Sequence, residues 1–149
     1  MPIQYRKRIP AKDDDYLYQL SKKQLAHFVP AWMWKENRFI HELNRSSRII
    51  IVTKHDGETP IGYVAYSWRT DQIVHIDYAV LETHYQGKGY ARQGLEQLKR
   101  YLKSKGATTI QLYVHHNNRS ALGIYRHLGF KNIQRPTPFR STYWMELIL

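Results

Sequence analysis

The chain contains no cysteine. Disulfides, cysteine-ligated zinc and a cysteine-bound acyl intermediate are thereby excluded. Long apolar runs are missing too. The longest plain aliphatic stretch, Ile49 to Val52, is far too short to span a bilayer, and Met1 to Arg6 lacks the apolar core of a signal peptide. A soluble, cytoplasmic protein without a membrane partner is the expectation. Acidic residues are scarce: 12 Asp and Glu stand against 23 Lys and Arg, a formal charge of +11 over 149 residues. Such a field attracts anions, whether nucleic acid, acidic protein surfaces or a cofactor carrying several phosphates. The basic residues are scattered, with no run longer than Arg6 to Arg8, so no basic tail is present and nucleic acid is not the expected partner. The eight histidines include no HExxH or comparable spacing, and no metal is assigned.

Against these absences stand 42% hydrophobic and 13% aromatic residues, enough for a folded core. The length suits one domain, taken as 1–149. The chain is organised around Tyr85-Gln86-Gly87-Lys88-Gly89-Tyr90-Ala91-Arg92. A β-favouring segment, Ile73 to Val80, precedes it; an amphipathic pattern with Ala91, Leu95, Leu98 and Leu102 on one face follows. Strand, glycine turn and helix in that order aim free backbone N–H groups at one spot, which suits a phosphate. Gly87 and Gly89 permit close backbone approach, while Lys88 and Arg92 add positive charge. The spacing is neither that of a nucleotide P-loop nor the GxGxxG dinucleotide fingerprint.

Around this centre the pattern predicts a first edge strand over Ile3–Ile9, then a helix opened by Asp13, Asp14 and Asp15 and reaching Phe28. Pro30 breaks it, and a second helix follows over Trp32–Leu43, whose aromatic cluster reads as a packed hairpin or as a lid over a cleft. Arg48–Lys54, Ile61–Arg69 and Ile73–Val80 read as an antiparallel meander. The loop's helix runs to about Lys105 with Gly106 as its cap. Thr108–His115 is a parallel strand, Asn117 or Asn118 caps a short helix ended by Gly129, and Lys131–Arg135 and Tyr143–Leu149 form a final antiparallel pair. The last strand is apolar enough to pair across a dimer, so monomer or homodimer is expected.

The glycine turn, read as Gln86, Gly87, Lys88, Gly89, Tyr90 and Ala91, matches Gln/Arg-x-x-Gly-x-Gly/Ala and resembles the pyrophosphate loop of the GNAT superfamily of acetyl-CoA-dependent N-acetyltransferases. The element order β-α-α-β-β-β-α-β-α-β-β resembles that fold, an α/β (α+β) domain with a mixed sheet of about seven strands and four helices. Asn118-x-x-Ala121-x-x-x-Tyr125-x-x-x-Gly129-Phe130 is similar to a second signature, found in ribosomal-protein alanine acetyltransferases and many relatives. The resemblance implies acetyl-CoA as cosubstrate, with its pantetheine arm on backbone at Ala79, Val80 and Leu81 and on Asn118 and Ala121, and its pyrophosphate on the amides of Gly87 to Ala91. It further implies Val80 N–H as donor to the thioester oxygen and Tyr125 facing the sulfur.

Acetyl transfer needs a neutral amine and a protonated leaving thiolate. At pH 7 a lysine amine is neutral about once in 2,500 molecules and an N-terminal amine about once in ten, so lysine or polyamine acceptors gain more from a base. Tyr125, a phenol, is the candidate donor to the thiolate. His75 lies near where some histone-type relatives carry a catalytic glutamate and is the candidate base; Asp77, Glu82, His115 and His116 are lesser ones. The acceptor is a peptide, a protein or a small molecule. A ribosome- or nucleic-acid-associated module and a non-catalytic acyl-CoA sensor are the alternatives on the same fold.

Overall fold

Alternating apolar and basic residues at the start of the chain extend as a strand only over Gln4–Lys7 (β1), because Pro10 already begins α1 (Pro10–Leu25). A proline suits the first helical turn, where its missing N–H has no partner to lose. Asp13 lies in the first turn of this helix, as expected, and is fully buried and gripped by Arg6. The computed structural model describes residues 3–149; Met1 and Pro2, counted in the expected domain 1–149, lie outside the described residues. After α1 come α2 (Glu36–Leu43), β2 (Arg48–Thr53), β3 (Pro60–Trp68), β4 (Ile73–Leu81), α3 (Tyr90–Ser104), β5 (Thr109–His115), α4 (Arg119–His127), β6 (Lys131–Gln134) and β7 (Thr142–Ile148). Short 3₁₀ turns occupy Ala31–Met33 and Thr83–Tyr85, so the predicted second helix begins four residues late. The strands pair in the order β1-β2-β3-β4-β5-β7-β6, which with four α-helices is the mixed α/β architecture expected. Among the described residues no helix is long and apolar enough to cross a membrane.

The chain forms two units: Met1–Ser67 with Asp77–Ala91, and Trp68–Ile76 with Arg92–Leu149. In the first, the apolar faces of α1 and α2 bury Leu17, Leu20, Phe39 and Leu43 against Ile51, Tyr63 and Ala65 of the strands. Trp34 stacks on Phe39 at 6.1 Å and Phe39 meets Tyr78 at 5.5 Å, so most of the aromatic cluster is core; Trp32, 57% exposed, is not. Buried Asp13 accepts two guanidinium hydrogen bonds from Arg6, at 2.7 and 2.8 Å, and one from the Ile9 N–H.

In the second unit, β4 and β5 run parallel from Ile73↔Thr109 to Ile76↔Leu112. The helix between them caps at Gly106 (φ +98°), as expected of a glycine past a helix end. Ile110, Leu112 and Val114 make the buried face of β5, paired in register with β7, whose Met145 and Leu147 are buried, as are Leu95 and Leu102 of α3 and Leu122 of α4. β7 lies between β5 and β6, so the expectation that this strand pairs across a dimer is overturned: its edges are engaged within the chain.

Candidate active site

In the first unit, Gly87 and Gly89 adopt φ of +73° and +84°, left-handed values that other residues avoid. No atom comes within 4 Å of where their Cβ atoms would stand, so the loop leaves a backbone-lined space. Tyr90 and Ala91 open α3 directly after it, and the first N–H groups of a helix have no intrahelical acceptor. Lys88 is exposed beside them. Charge and free donors thus converge where an anion can approach.

The end of β4 is set by its neighbours. Asp77 accepts from Ser46 and Ser67, while the next residue, Tyr78, meets Phe39 and Tyr63. Tyr63 and Ser67 share a face of β3, so β4 breaks the strict alternation of a strand between Asp77 and Tyr78. Beyond the break the Val80 carbonyl packs on Gly62 of β3, and the Glu82 N–H donates to the Ile61 carbonyl at 2.8 Å. Val80 and Glu82 therefore both turn to β3. The Leu81 carbonyl between them turns the other way, accepting from Gln86 Nε2 at 2.8 Å and Gln24 Nε2 at 3.4 Å. In a strand a residue's N–H and C=O share an edge. The Leu81 N–H, not the expected Val80 N–H, thus lies on the edge away from β3. Ala79 shares that edge and is exposed.

Glu82 accepts a short hydrogen bond from the Tyr16 phenol, and Gln24 also donates to Thr83 Oγ1 at 3.1 Å. Burial and the adjacent Glu82 carboxylate raise the Tyr16 phenol far above its ordinary range. Tyr16, Gln24 and Gln86 thereby clamp residues 81–83. Sequence reading missed the contacts of Tyr16 and Gln24, because nothing local marks a polar residue on α1 as a partner for a strand end over fifty positions away, and it placed Gln86 at the turn without its bond to Leu81.

In the second unit Asn118 caps α4, its Oδ1 accepting from the Ala121 N–H at 3.2 Å, which leaves its amide NH₂ for another acceptor. Tyr125, two turns on, packs edge-on to Phe130 at 5.5 Å, and burial pushes its phenol up to about 12. His75 is buried on β4 with its ring 4.8 Å from Tyr113. His115 stacks on His116 at 4.7 Å, and burial lowers its imidazole below the ordinary range. Arg92 Nη2 donates to the His127 carbonyl at 3.3 Å. Of the residues singled out in sequence, Ala79 to Ala91 therefore belong to the first unit, and His75, Asn118, Ala121 and Tyr125 to the second. Among the described residues no group of three His, Asp or Glu side chains is placed to hold a metal.

A model of the acetyltransferase (GNAT) family matches residues 14–130. The [ribosomal protein bS18]-alanine N-acetyltransferase of Haemophilus influenzae is 30% identical over 126 residues, covering 85% of this chain and 80% of that protein. Among solved structures, the PaiA N-acetyltransferase of Thermoplasma acidophilum, in complex with coenzyme A, superposes with a TM-score of 0.80 at 20% identity over 100% of both chains. The ribosomal-protein-S18-alanine N-acetyltransferase of Escherichia coli superposes with a TM-score of 0.74 at 21% identity, over 99% of this chain and 94% of that one.

Proposed function

The chain belongs to the GNAT acetyltransferase family and is an acyltransferase that moves an acetyl group from acetyl-CoA to an amine; we propose that the transfer is direct, to the primary amine of a peptide, protein or small-molecule acceptor, within a single acetyltransferase domain over 1–149. The observation that carries this reading is the Gly87–Gly89 turn, whose positive φ angles and open Cβ positions suit a pyrophosphate laid on the amides of Gly87, Lys88, Gly89, Tyr90 and Ala91. Gln86 serves the site through Leu81, whose carbonyl it holds. With that carbonyl taken, the groups offered to the pantetheine amides are those of Ala79 and the Leu81 N–H. The family resemblance adds the amide NH₂ of Asn118 and the backbone at Ala121.

Attack by the neutral amine on the thioester carbon forms the C–N bond and places negative charge on the thioester oxygen. The Leu81 N–H is the donor assigned to that oxygen, in place of Val80, because the Val80 carbonyl is packed on β3. Collapse breaks the C–S bond; the Tyr125 phenol supplies the proton to the leaving thiolate, and the proton that the new amide nitrogen sheds restores the phenol through solvent. A phenol held near 12 stays protonated at physiological pH, as a donor must. His75 is the assigned proton acceptor for the ammonium form of the acceptor, and its burial calls for a water between it and the amine.

The test is thermal unfolding with acetyl-CoA, CoA or ATP, repeated with Gly89→Trp, followed by CoA-thiol release over a panel of amines. A ligand at a hundred times its Kd adds about 2.7 kcal/mol to stability. A rise with both CoA ligands alone, lost in the variant, is expected. An equal rise with ATP would reduce the loop to a generic anion site. Unchanged release of CoA by His75→Gln would remove that residue from the mechanism.

A further inference from the structure

The net positive charge is concentrated in one part of the chain. Although basic residues are spread along the sequence, the second unit holds 11 Lys and Arg against three Asp and Glu, +8 of the chain's +11. Its three carboxylates are spent elsewhere: Glu96 pairs with Lys99 on α3, Glu146 accepts from Gln111, and Asp71 sits in the turn before β4. On the outer flank of α4, Arg119, Leu122 and Arg126 recur at helical spacing and, with His116, Asn117 and Tyr143, line a groove of ≈ 460 Å³ that contains no carboxylate. That volume lies in the range of clefts that hold a small ligand, roughly 300–1,000 Å³. The Arg126 guanidinium lies over the Tyr143 ring at 5.5 Å, and among the described residues neither Arg119 nor Arg126 has an acidic partner.

The segment after β6 adjoins this groove, since the His116 N–H donates to the Ser141 carbonyl at 2.8 Å. Its tip is a built turn: Thr137 and Arg140 exchange backbone hydrogen bonds at 2.9 and 3.1 Å, and Arg140 reaches back to the Arg135 carbonyl at 3.1 Å. That turn holds Phe139 98% exposed, between Arg135 and Arg140.

We propose that this flank, from Arg119, Arg126 and Tyr143 to Phe139, binds single-stranded RNA. Interleaved guanidinium groups and flat rings are what a single strand needs: cations for successive phosphates and π-faces for unstacked bases. An acidic peptide would use the arginines but gain nothing from the exposed phenyl and the phenol. An anionic bilayer would accept Phe139 but could not enter a concave groove behind it. The residues that line the groove are other than Asn118, Ala121 and Tyr125, so it adds a partner rather than a step to acetyl transfer.

The experiment measures binding of labelled decauridylate by fluorescence anisotropy, with saturating CoA, across a salt series. A decameric poly-glutamate peptide and phosphatidylglycerol vesicles serve as competitors. Each phosphate contact contributes about 0.7 to the magnitude of the salt slope for a single strand, so Arg119→Gln/Arg126→Gln should flatten it by about 1.4. Phe139→Ala should weaken binding roughly 5- to 150-fold, the worth of one stacked base. Arg100→Gln/Lys103→Gln, which removes the same charge from exposed positions on α3, should do less than the groove pair. Equal loss in that control, or equal competition by the peptide or the vesicles, would overturn the proposal. Stabilisation by acetyl-CoA should be unchanged in all three variants, so failure here is separable from failure of the acetyltransferase reading.

Discussion

The carbonyl oxygen of Val80 stands 2.4 Å from the point a Cβ would occupy on Gly62, and the Leu81 Cα stands 3.0 Å from it. β3 and β4 approach so closely there that only a glycine fits, and the approach decides which way the strand end faces.

Gly62→Ala should therefore destabilise the protein by about 1–3 kcal/mol, the usual cost of forcing an extra methyl into a packed contact. Both contacting atoms are backbone, so the end of β4 must shift. Urea unfolding should show the stability loss, and the KM for acetyl-CoA should rise in the same variant. An alanine variant with wild-type KM would separate the close approach from cofactor binding.

Gln86→Ala leaves the Leu81 carbonyl with only the long contact from Gln24. Turnover should fall by about tenfold, equivalent to roughly 1.4 kcal/mol and within the range of one lost hydrogen bond. Because Gln86 acts by positioning Leu81, kcat should drop more than stability does. A variant that loses only melting temperature would make Gln86 a structural residue.

Tyr125→Phe should lower kcat by about 10²–10³-fold while leaving the Kd for CoA within a factor of about two, since proton donation is lost but the ring remains. In the wild-type enzyme no alkaline limb below about pH 11 should arise from this phenol, which burial holds at about 12. The raised value also carries a stability signature. The buried neutral phenol stabilises the fold fully below the unfolded value near 10, and that contribution declines as pH rises through about 12. Stability curves of Tyr125→Phe and wild type should diverge only above pH 10.

Burial alone would raise the Asp13 carboxyl, but the Arg6 guanidinium and the Ile9 N–H outweigh it and hold the group below the usual carboxylate range. A depressed carboxylate contributes stability above its unfolded value near 4 and loses it as pH falls through the folded one. Asp13→Asn leaves the Arg6 guanidinium, whose side chain is 16% exposed, with only the Glu58 and Lys7 carbonyls and no carboxylate, and should cost about 3–5 kcal/mol at pH 7. The difference from wild type should shrink below pH 4 in acid-unfolding curves.

Much of this protein was legible from local pattern. The glycines at 87, 89, 106 and 129 marked turns because positive φ is a property of one residue and its neighbours. The pair Asn117 and Asn118 announced the helix, because a cap needs only the next three residues, and Asn118 is the one that caps it. The alternation of Ile110, Leu112 and Val114 named the buried face of β5 because side-chain period is intrinsic to a strand. Three things waited for the tertiary structure. The carbonyl of Leu81 is held by Gln86 and by Gln24 on a distant helix, and the direction of Val80 depends on a glycine in another strand. Asp13 opens its helix as its position suggested, but its burial under Arg6 was decided by the fold. The Arg126 guanidinium comes to lie over the Tyr143 ring only because β7 returns beside β5. Local propensity acts over one turn or one strand, whereas hydrogen-bond partners and surface potential are set by residues that meet only once the sheet has closed.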